Sequence, residues 1–251
     1  MPDDILLRAE GLTKSFAGFI AVKNVSLDIK RGSIHALIGP NGAGKTTFFN
    51  LLTRFLAPTS GRIIFAGKDI TGAKPHEIAR MGIVRSFQIS AVFAHLTVLE
   101  NVRIALQRFR HDNYFFWRSD RVLQSLDDRA MALLTEVGLE GQAERLAAEL
   151  PYGRKRALEV ATTLALDPAL LMLDEPTAGM GREDIGRIVD LIRRVANDRT
   201  VLMVEHNLSV VADLSQRITV MQRGEILADG TYQEVSRNPA VIEAYMGSGH
   251  G

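Results

Sequence analysis

The stretch IHALIGPNGAGKTTFFNLLTRF, residues 34–55, decides how the rest of the chain is read. It opens with an apolar run from Ile34 to Ile38, turns through glycines, and closes in a second apolar run of helical character. The turn GPNGAGKTT, residues 39–47, satisfies the spacing G-x-x-x-x-G-K-[ST]. Gly39, Gly42 and Gly44 permit backbone angles that other residues resist, so successive N–H groups can converge on phosphate oxygens. Pro40, Asn41, Ala43 and Thr47 complete the same cradle. A helix starting near Lys45 adds its unpaired amides and the positive end of its dipole. Lys45 is then placed to bridge β- and γ-phosphates, and Thr46 to set its hydroxyl on Mg²⁺. Chance would produce such a pattern in roughly one chain in a hundred of this length, and the strand-then-helix context lowers that further. The expected ligand is a nucleotide with Mg²⁺.

Working outward, ALLMLDEP at 169–176 is an apolar strand ending in two acids and a proline. Pro176 cannot continue a central ladder, so Asp174 and Glu175 fall at the carboxyl end of the strand, where ligands of open α/β sheets gather. Asp174 is placed to hold Mg²⁺, mostly through its water shell, and Glu175 to polarise a water for in-line attack on a γ-phosphate. Further apolar runs at 83–87, 200–204 and 217–221 are nearly continuous, as strands buried on both faces of a parallel sheet should be. Ile185, Ile188, Val189, Ile192 and Val195 form one stripe of an amphipathic helix. This alternation predicts a doubly wound α/β core. Residues 4–30 and 61–66, broken by Gly11, Gly18 and Gly61, read instead as antiparallel strands. Residues 92–166 are helical in pattern, with Leu123, Leu126, Ala130, Leu133 and Val137 on one face and Ala157, Leu158, Ala161 and Leu164 on another. The chain is expected to leave the core near residue 90 and return near 168.

Composition narrows the class. With 251 residues, 46% hydrophobic and 24% charged, wholesale disorder and collagen-like repeats are excluded. A net charge of +1 gives no bias toward nucleic acid or an anionic membrane surface. The absence of cysteine removes disulfides, thiol nucleophiles and Cys-ligated metals. MPDDILLRAE at the start has no apolar core of signal-peptide length, and nothing approaches 18 consecutive apolar residues. A cytosol-type soluble chain is expected.

Taken in order, these motifs resemble the nucleotide-binding subunits of ATP-binding cassette (ABC) transporters over nearly the whole chain. The resemblance implies a P-loop ATPase core with an antiparallel β subdomain over 1–90 and 167–230. It also implies an α-helical insertion over 91–166 carrying a signature-like motif, and a tail over 231–251. Phe16, 23 residues before Gly39, sits where that family stacks an aromatic ring on adenine. Gln88 matches the glutamine that contacts Mg²⁺ and water, and His206 in VLMVEHN matches the switch histidine that contacts the γ-phosphate. The LSGGQ-like signature is reduced to LPYGR: Leu150 and Gly153 remain, while Pro151, Tyr152 and Arg154 differ. Arg154, Lys155 and Arg156 then stand in the first turn of a helix, where the dipole disfavours cations, so they either face a γ-phosphate held by an opposite subunit or form a solvated basic patch. Gly181 occupies the place of the family's usual aspartate in TAGMG.

ARMGIVRSFQ, LPYGRKRALEVA, EPTAGM and ADGTYQEVSRNPAVIEAYMG resemble one subgroup, the ATP-binding subunits of branched-chain and hydrophobic amino-acid importers. Membership would imply membrane-spanning permease subunits, a second ATPase bound head to tail and, indirectly, a solute-binding protein. Nucleic acid is not an expected partner. The place of work would be the cytoplasmic face of the plasma membrane. An exporter ATPase and a P-loop small-molecule kinase stay open as alternatives. The cluster Phe109, Tyr114, Phe115, Phe116 and Trp117 either fills the insertion's own core or marks an interaction patch.

Overall fold

The computed structural model describes residues 4–86, 92–107 and 126–246. Gln88, Leu123 and the aromatic cluster at 109–117 lie outside the described residues. Contacts divide the chain into two units: Met1–Val84 with Ala169–Glu175 and Ala196–Gly251, and Arg85–Pro168 with Pro176–Val195.

The first unit holds the strands. β1 (Ile5–Phe16) and β2 (Phe19–Lys30) form a hairpin, and β1 also pairs antiparallel with β4 (Ser60–Phe65), followed by the short β5 (Lys68–Asp69). These four make one sheet in the order β2-β1-β4-β5. The second sheet runs β10-β9-β3-β8-β7-β6. Its members are β3 (Ile34–Ile38), β6 (Ile83–Ser86), β7 (Leu170–Asp174), β8 (Thr200–Val204), β9 (Arg217–Gln222) and β10 (Glu225–Gly230). β3 lies parallel between β8 and β9, and β7 parallel to β8, while β10 returns antiparallel on β9. Every residue of β3, β7 and β8 is buried, which is why these strands read as unbroken apolar runs.

Between the phosphate-type turn and β4 lies α1 (Lys45–Leu52), whose Phe48, Phe49, Leu51 and Leu52 are all inaccessible to solvent. They join one cluster with Leu7, Leu12 and Ile63 of the antiparallel sheet and with Leu37, Met172, Leu202 and Met221 of the other. Burying each such side chain contributes about 1.5–3 kcal/mol before the entropy cost of ordering it. Helices α2 (Pro75–Arg80), α7 (Leu208–Leu214), α8 (Tyr232–Ser236) and α9 (Pro239–Met246) complete the unit.

The second unit packs α3 (Val98–Leu106), α4 (Asp127–Val137), α5 (Tyr152–Leu164) and α6 (Arg182–Val195) together. α3 starts in a capping box: Glu100 N–H donates to Thr97 Oγ1 at 3.1 Å, and Thr97 N–H to Glu100 Oε2 at 2.7 Å. Buried Asn101 accepts from Phe93 N–H at 2.7 Å and donates to Thr97 O at 2.8 Å, tying the preceding loop to the helix. Arg103 grips Asp127 through both nitrogens of its fork, joining α3 to the start of α4.

Two expectations need adjusting. Residues 167–230 were assigned to the core, but Pro176–Val195 groups with the helices, because α6 turns Ile188, Val189, Leu191, Ile192 and Val195 inward and packs on α4 and α5. For α5 a single apolar face was expected. It is instead buried nearly all round from Arg156 to Leu164, since α3, α4 and α6 all pack on it.

Candidate active site

The turn at 39–47 joins β3 to α1 within the first unit. Gly39 and Gly44 have φ of 150° and 98°. A Cβ on Gly39 would stand 2.2 Å from the carbonyl oxygen of Met221, and one on Gly44 would stand 2.5 Å from that of Ala21. Both positions therefore need glycine for space as well as for angle. Gly44 caps α1 without a side-chain hydrogen bond, and the first turn of α1 carries no acid. The positive end of the helix is thus left uncompensated by its own side chains, as an anion site requires.

Lys45 is 6% exposed, and its Nζ donates to Gly39 O at 2.7 Å and Pro40 O at 3.0 Å. Burial pushes this ammonium below the ordinary lysine range, while the nearby carboxylates of Glu175 and Asp174 oppose the shift. That coupling joins the turn to the end of β7. Thr46 is exposed and Thr47 half-buried. Asp174 ends β7 in the interior at 3% exposure, and Glu175 follows with a left-handed φ of 46°. Glu175 N–H donates to Val204 O at 2.9 Å, which pins this junction to the end of β8.

His206 lies just beyond β8, and its Nε2 is 2.7 Å from Glu175 Oε1. With Glu175 ionised, Nε2–H is the donor, leaving the other carboxylate oxygen able to accept from a water. Phe16 ends β1 directly opposite Phe19 and is 42% exposed. The Lys14 ammonium stands 5.0 Å from the Phe16 ring centroid, so a cation occupies one face of that ring. The hairpin lies beside the turn, because Ala21 of β2 is the residue that crowds Gly44.

The signature-like residues belong to the second unit. Leu150 is buried, Pro151 precedes the first turn of α5, and Tyr152 is 60% exposed with its hydroxyl donating to Ala178 O at 3.3 Å. A Cβ on Gly153 would stand 2.8 Å from Asp184 Oδ1, so glycine there serves the approach of α6. The three cations are not a common anion face. Arg154 Nη1 donates to Gly138 O at 2.5 Å, beyond the end of α4, and Arg156 pairs with Glu159 at 2.6 Å in the interior. Arg154 thereby satisfies a carbonyl at the negative end of α4, which offsets the unfavourable charge at the start of α5. Gly181 immediately precedes α6 and accepts Ile185 N–H at 3.0 Å.

Some contributors were missed by sequence reasoning. Glu205, 3% exposed, accepts the N–H groups of His206 and Asn207 at 2.7 and 2.9 Å. The available signal was an acid continuing the wholly apolar strand VLMV. Gly224, in the β9–β10 turn, donates to Ala43 O at 2.9 Å, a contact no local pattern announces. Among the described residues no group of three His, Cys, Asp or Glu side chains is placed to hold a metal.

An uncompensated helix start, a buried ammonium and a carboxylate–imidazole pair together suit phosphoryl chemistry on a nucleotide. Comparison with known proteins agrees. The ABC transporter family matches residues 22–178, and the family described as branched-chain amino acid ATP-binding cassette transporter matches 225–251. The chain belongs to the ABC transporter family, as one of its ATP-binding, ATP-hydrolysing subunits. It is 41% identical over 249 residues to the high-affinity branched-chain amino acid transport ATP-binding protein LivG of Escherichia coli strain K12, covering 96% of this chain and 98% of that one. Its identity to the corresponding protein BraF of Pseudomonas aeruginosa is 40% over 252 residues, with the same coverage. Among solved structures, an ATP-binding cassette of an ABC transporter in its ADP conformation superposes with a TM-score of 0.85 at 31% identity, over 97% of this chain and 99% of that one.

Proposed function

We propose that the chain is the ATPase that powers an importer of branched-chain or other hydrophobic amino acids, with ATP on the phosphate loop and Glu175 activating the attacking water. The observation that carries the chemistry is the 2.7 Å contact between Glu175 Oε1 and His206 Nε2 at the end of β7. N–H groups from Gly39 to Thr47 cradle the phosphates, and Lys45 leaves its two carbonyl acceptors to bridge the β- and γ-phosphates. Phe16 offers adenine the ring face opposite Lys14. Glu175 takes a proton from water as the water oxygen attacks the γ-phosphorus; the bond to the bridging oxygen breaks, and ADP leaves. His206 steadies the γ-phosphate and orients Glu175.

One hydroxyl from Thr46 and one carboxylate from Asp174 fit Mg²⁺, which prefers few protein ligands and completes its shell with phosphate oxygens and water. Gln88 is assigned to the same ion and to the attacking water. With Mg²⁺ held there, the site would gain neutralisation of charge on the phosphate oxygens. Among the described residues no helix is long and apolar enough to cross a membrane. Membership in the ABC transporter family supports membrane-spanning permease partners. We assign a second ATPase subunit as a head-to-tail partner, with exposed Pro151 and Tyr152 and half-buried Gly153 facing its nucleotide above buried Leu150. Arg154 is left out of that role because its guanidinium is committed to Gly138 O. The amino-acid cargo rests on the likeness to LivG and BraF.

Replacing Glu175 by Gln tests the centre of this reading. ATP should still bind and hold a dimer, while hydrolysis falls about 10²- to 10⁴-fold and leucine uptake by the reconstituted complex stops. Turnover near that of the parent would remove Glu175 from the role.

A further inference from the structure

The helical unit carries a cavity that ATP hydrolysis leaves without a role. It has a volume of about 330 Å³ and lies where the end of α4 meets the first half of α5 and one face of α6. Ligand pockets run from roughly 300 to 1,000 Å³, so this one suits a small molecule. Val137 of α4, Ala157 of α5, and Ile188 and Leu191 of α6 line it, each no more than 6% exposed. Three helices thus bring apolar side chains to one space that none of them fills.

Charges of both signs line the same cavity. Asp184, Arg187, Asp190 and Arg194 follow one another at steps of three and four residues along α6, so they share one side of it. Arg187 meets Asp184 at 3.4 Å and Glu183 at 2.5 Å, and Asp190 meets Arg193 at 3.0 Å. These pairs are largely exposed, and exposed pairs contribute little, so a ligand can take their place at small cost. Arg194 is exposed and makes no ion pair among the described residues. On the α5 side Arg154 is already committed to Gly138 O, which leaves α6 to supply the charged contacts.

An unpaired guanidinium, loosely held carboxylates and an apolar wall match a molecule with a carboxylate, an ammonium and a short hydrocarbon branch. We infer that this cavity binds a small hydrophobic α-amino acid, with its carboxylate on Arg194 and Arg187, its ammonium on Asp184 and Asp190, and its side chain against Val137, Ala157, Ile188 and Leu191. A simple anion leaves the aspartates and the apolar wall unused, and an apolar molecule leaves every charge unused. Charge-assisted contacts at both ends fix the orientation, and burial of the hydrocarbon adds affinity. Gly153, which Asp184 crowds, lines the cavity too, so the occupant stands at the start of α5. What this means for transport rests on the reading of the cargo as a hydrophobic amino acid: cargo delivered by the importer would occupy the ATPase that powers it.

The test uses the full chain without nucleotide, with L-leucine binding followed by calorimetry. One leucine per chain should bind saturably and raise the melting temperature. Glycine lacks the side chain, 4-methylpentanoate the ammonium and leucinol the carboxylate, and each should bind at least about tenfold more weakly. Arg194→Ala changes an exposed residue and should fold as the parent does, yet weaken leucine about tenfold. Ala157→Leu fills the cavity and should abolish leucine binding; should it fail to fold, Arg194→Ala decides alone. No saturable binding of leucine by the parent, parental affinity in Arg194→Ala, or 4-methylpentanoate binding as well as leucine would each overturn the inference. Leucine uptake by the reconstituted complex is measured separately. Its absence beside intact binding would overturn the cargo reading and leave the site standing.

Discussion

Glu205 sets a carboxylate in the interior to hold the two peptide N–H groups that follow β8. Those bonds turn the chain so that the next side chain, His206, reaches Glu175, while Asn207 caps α7 by accepting Ser209 N–H at 3.1 Å. Glu205→Ala leaves two N–H groups without their acceptor, at about 1–3 kcal/mol each where water cannot replace it. Thermal melts should show that loss, and ATP hydrolysis should slow beyond what the melt explains, because His206 loses its fixed approach. Glu205→Gln, which retains an acceptor oxygen, should recover most of both. Lys45, Asp174 and Glu175 were legible in the sequence because they sit in short runs around apolar strands, whereas His206 entered only through the family resemblance. Glu205 was not legible, since an acid at a strand end ordinarily reads as a surface residue. The sequence offered no hint that Lys14 covers one face of Phe16, for that contact depends on hairpin register.

Among the elements, β3 carries a buried histidine within an apolar strand. His35 Nε2 meets Thr219 Oγ1 at 2.7 Å, and Thr219 donates to Asp229 Oδ1 at 3.1 Å, with Arg217 paired to the same aspartate. Burial lowers the His35 pKa to about 4; the Asp229 charge opposes this and Arg217 adds to it. Above pH 6.5 both folded and unfolded chains hold it neutral and its contribution is complete. As pH falls toward 4 the unfolded chain takes up the proton first, so stability declines by about 3 kcal/mol over that window and then levels. Denaturant melts from pH 7 to 4 should show this fall, and His35→Gln should remove most of it. α5 supplies a second case. Because Arg154 ties to the end of α4, Arg154→Ala should lower stability by about 1 kcal/mol while leaving ATP turnover within about threefold. A large loss of turnover at unchanged stability would return the side chain to the nucleotide. The strands were readable because burial on both faces leaves an uninterrupted apolar run. α5 was misjudged for the opposite reason: its Arg156–Glu159 pair buries two charges that a periodicity reading assigns to solvent.

At the scale of the whole molecule, the class of fold could be read because one glycine turn between strand and helix, with acids after a second buried strand, admits few architectures. Sheet order could not be read this way. It depends on which distant strand pairs with which: Ile34 takes Val201 on one side, and Ala36 takes Ile218 on the other. This order sets a timetable for a chain emerging from a ribosome. β3 and its loop are synthesised well before either neighbour of that strand, β8 or β9. At about 5–20 residues per second the wait is on the order of ten seconds. Through that interval an apolar strand with two open edges must be shielded, and no nascent fragment that stops short of β8 and β9 can enclose its nucleotide cradle.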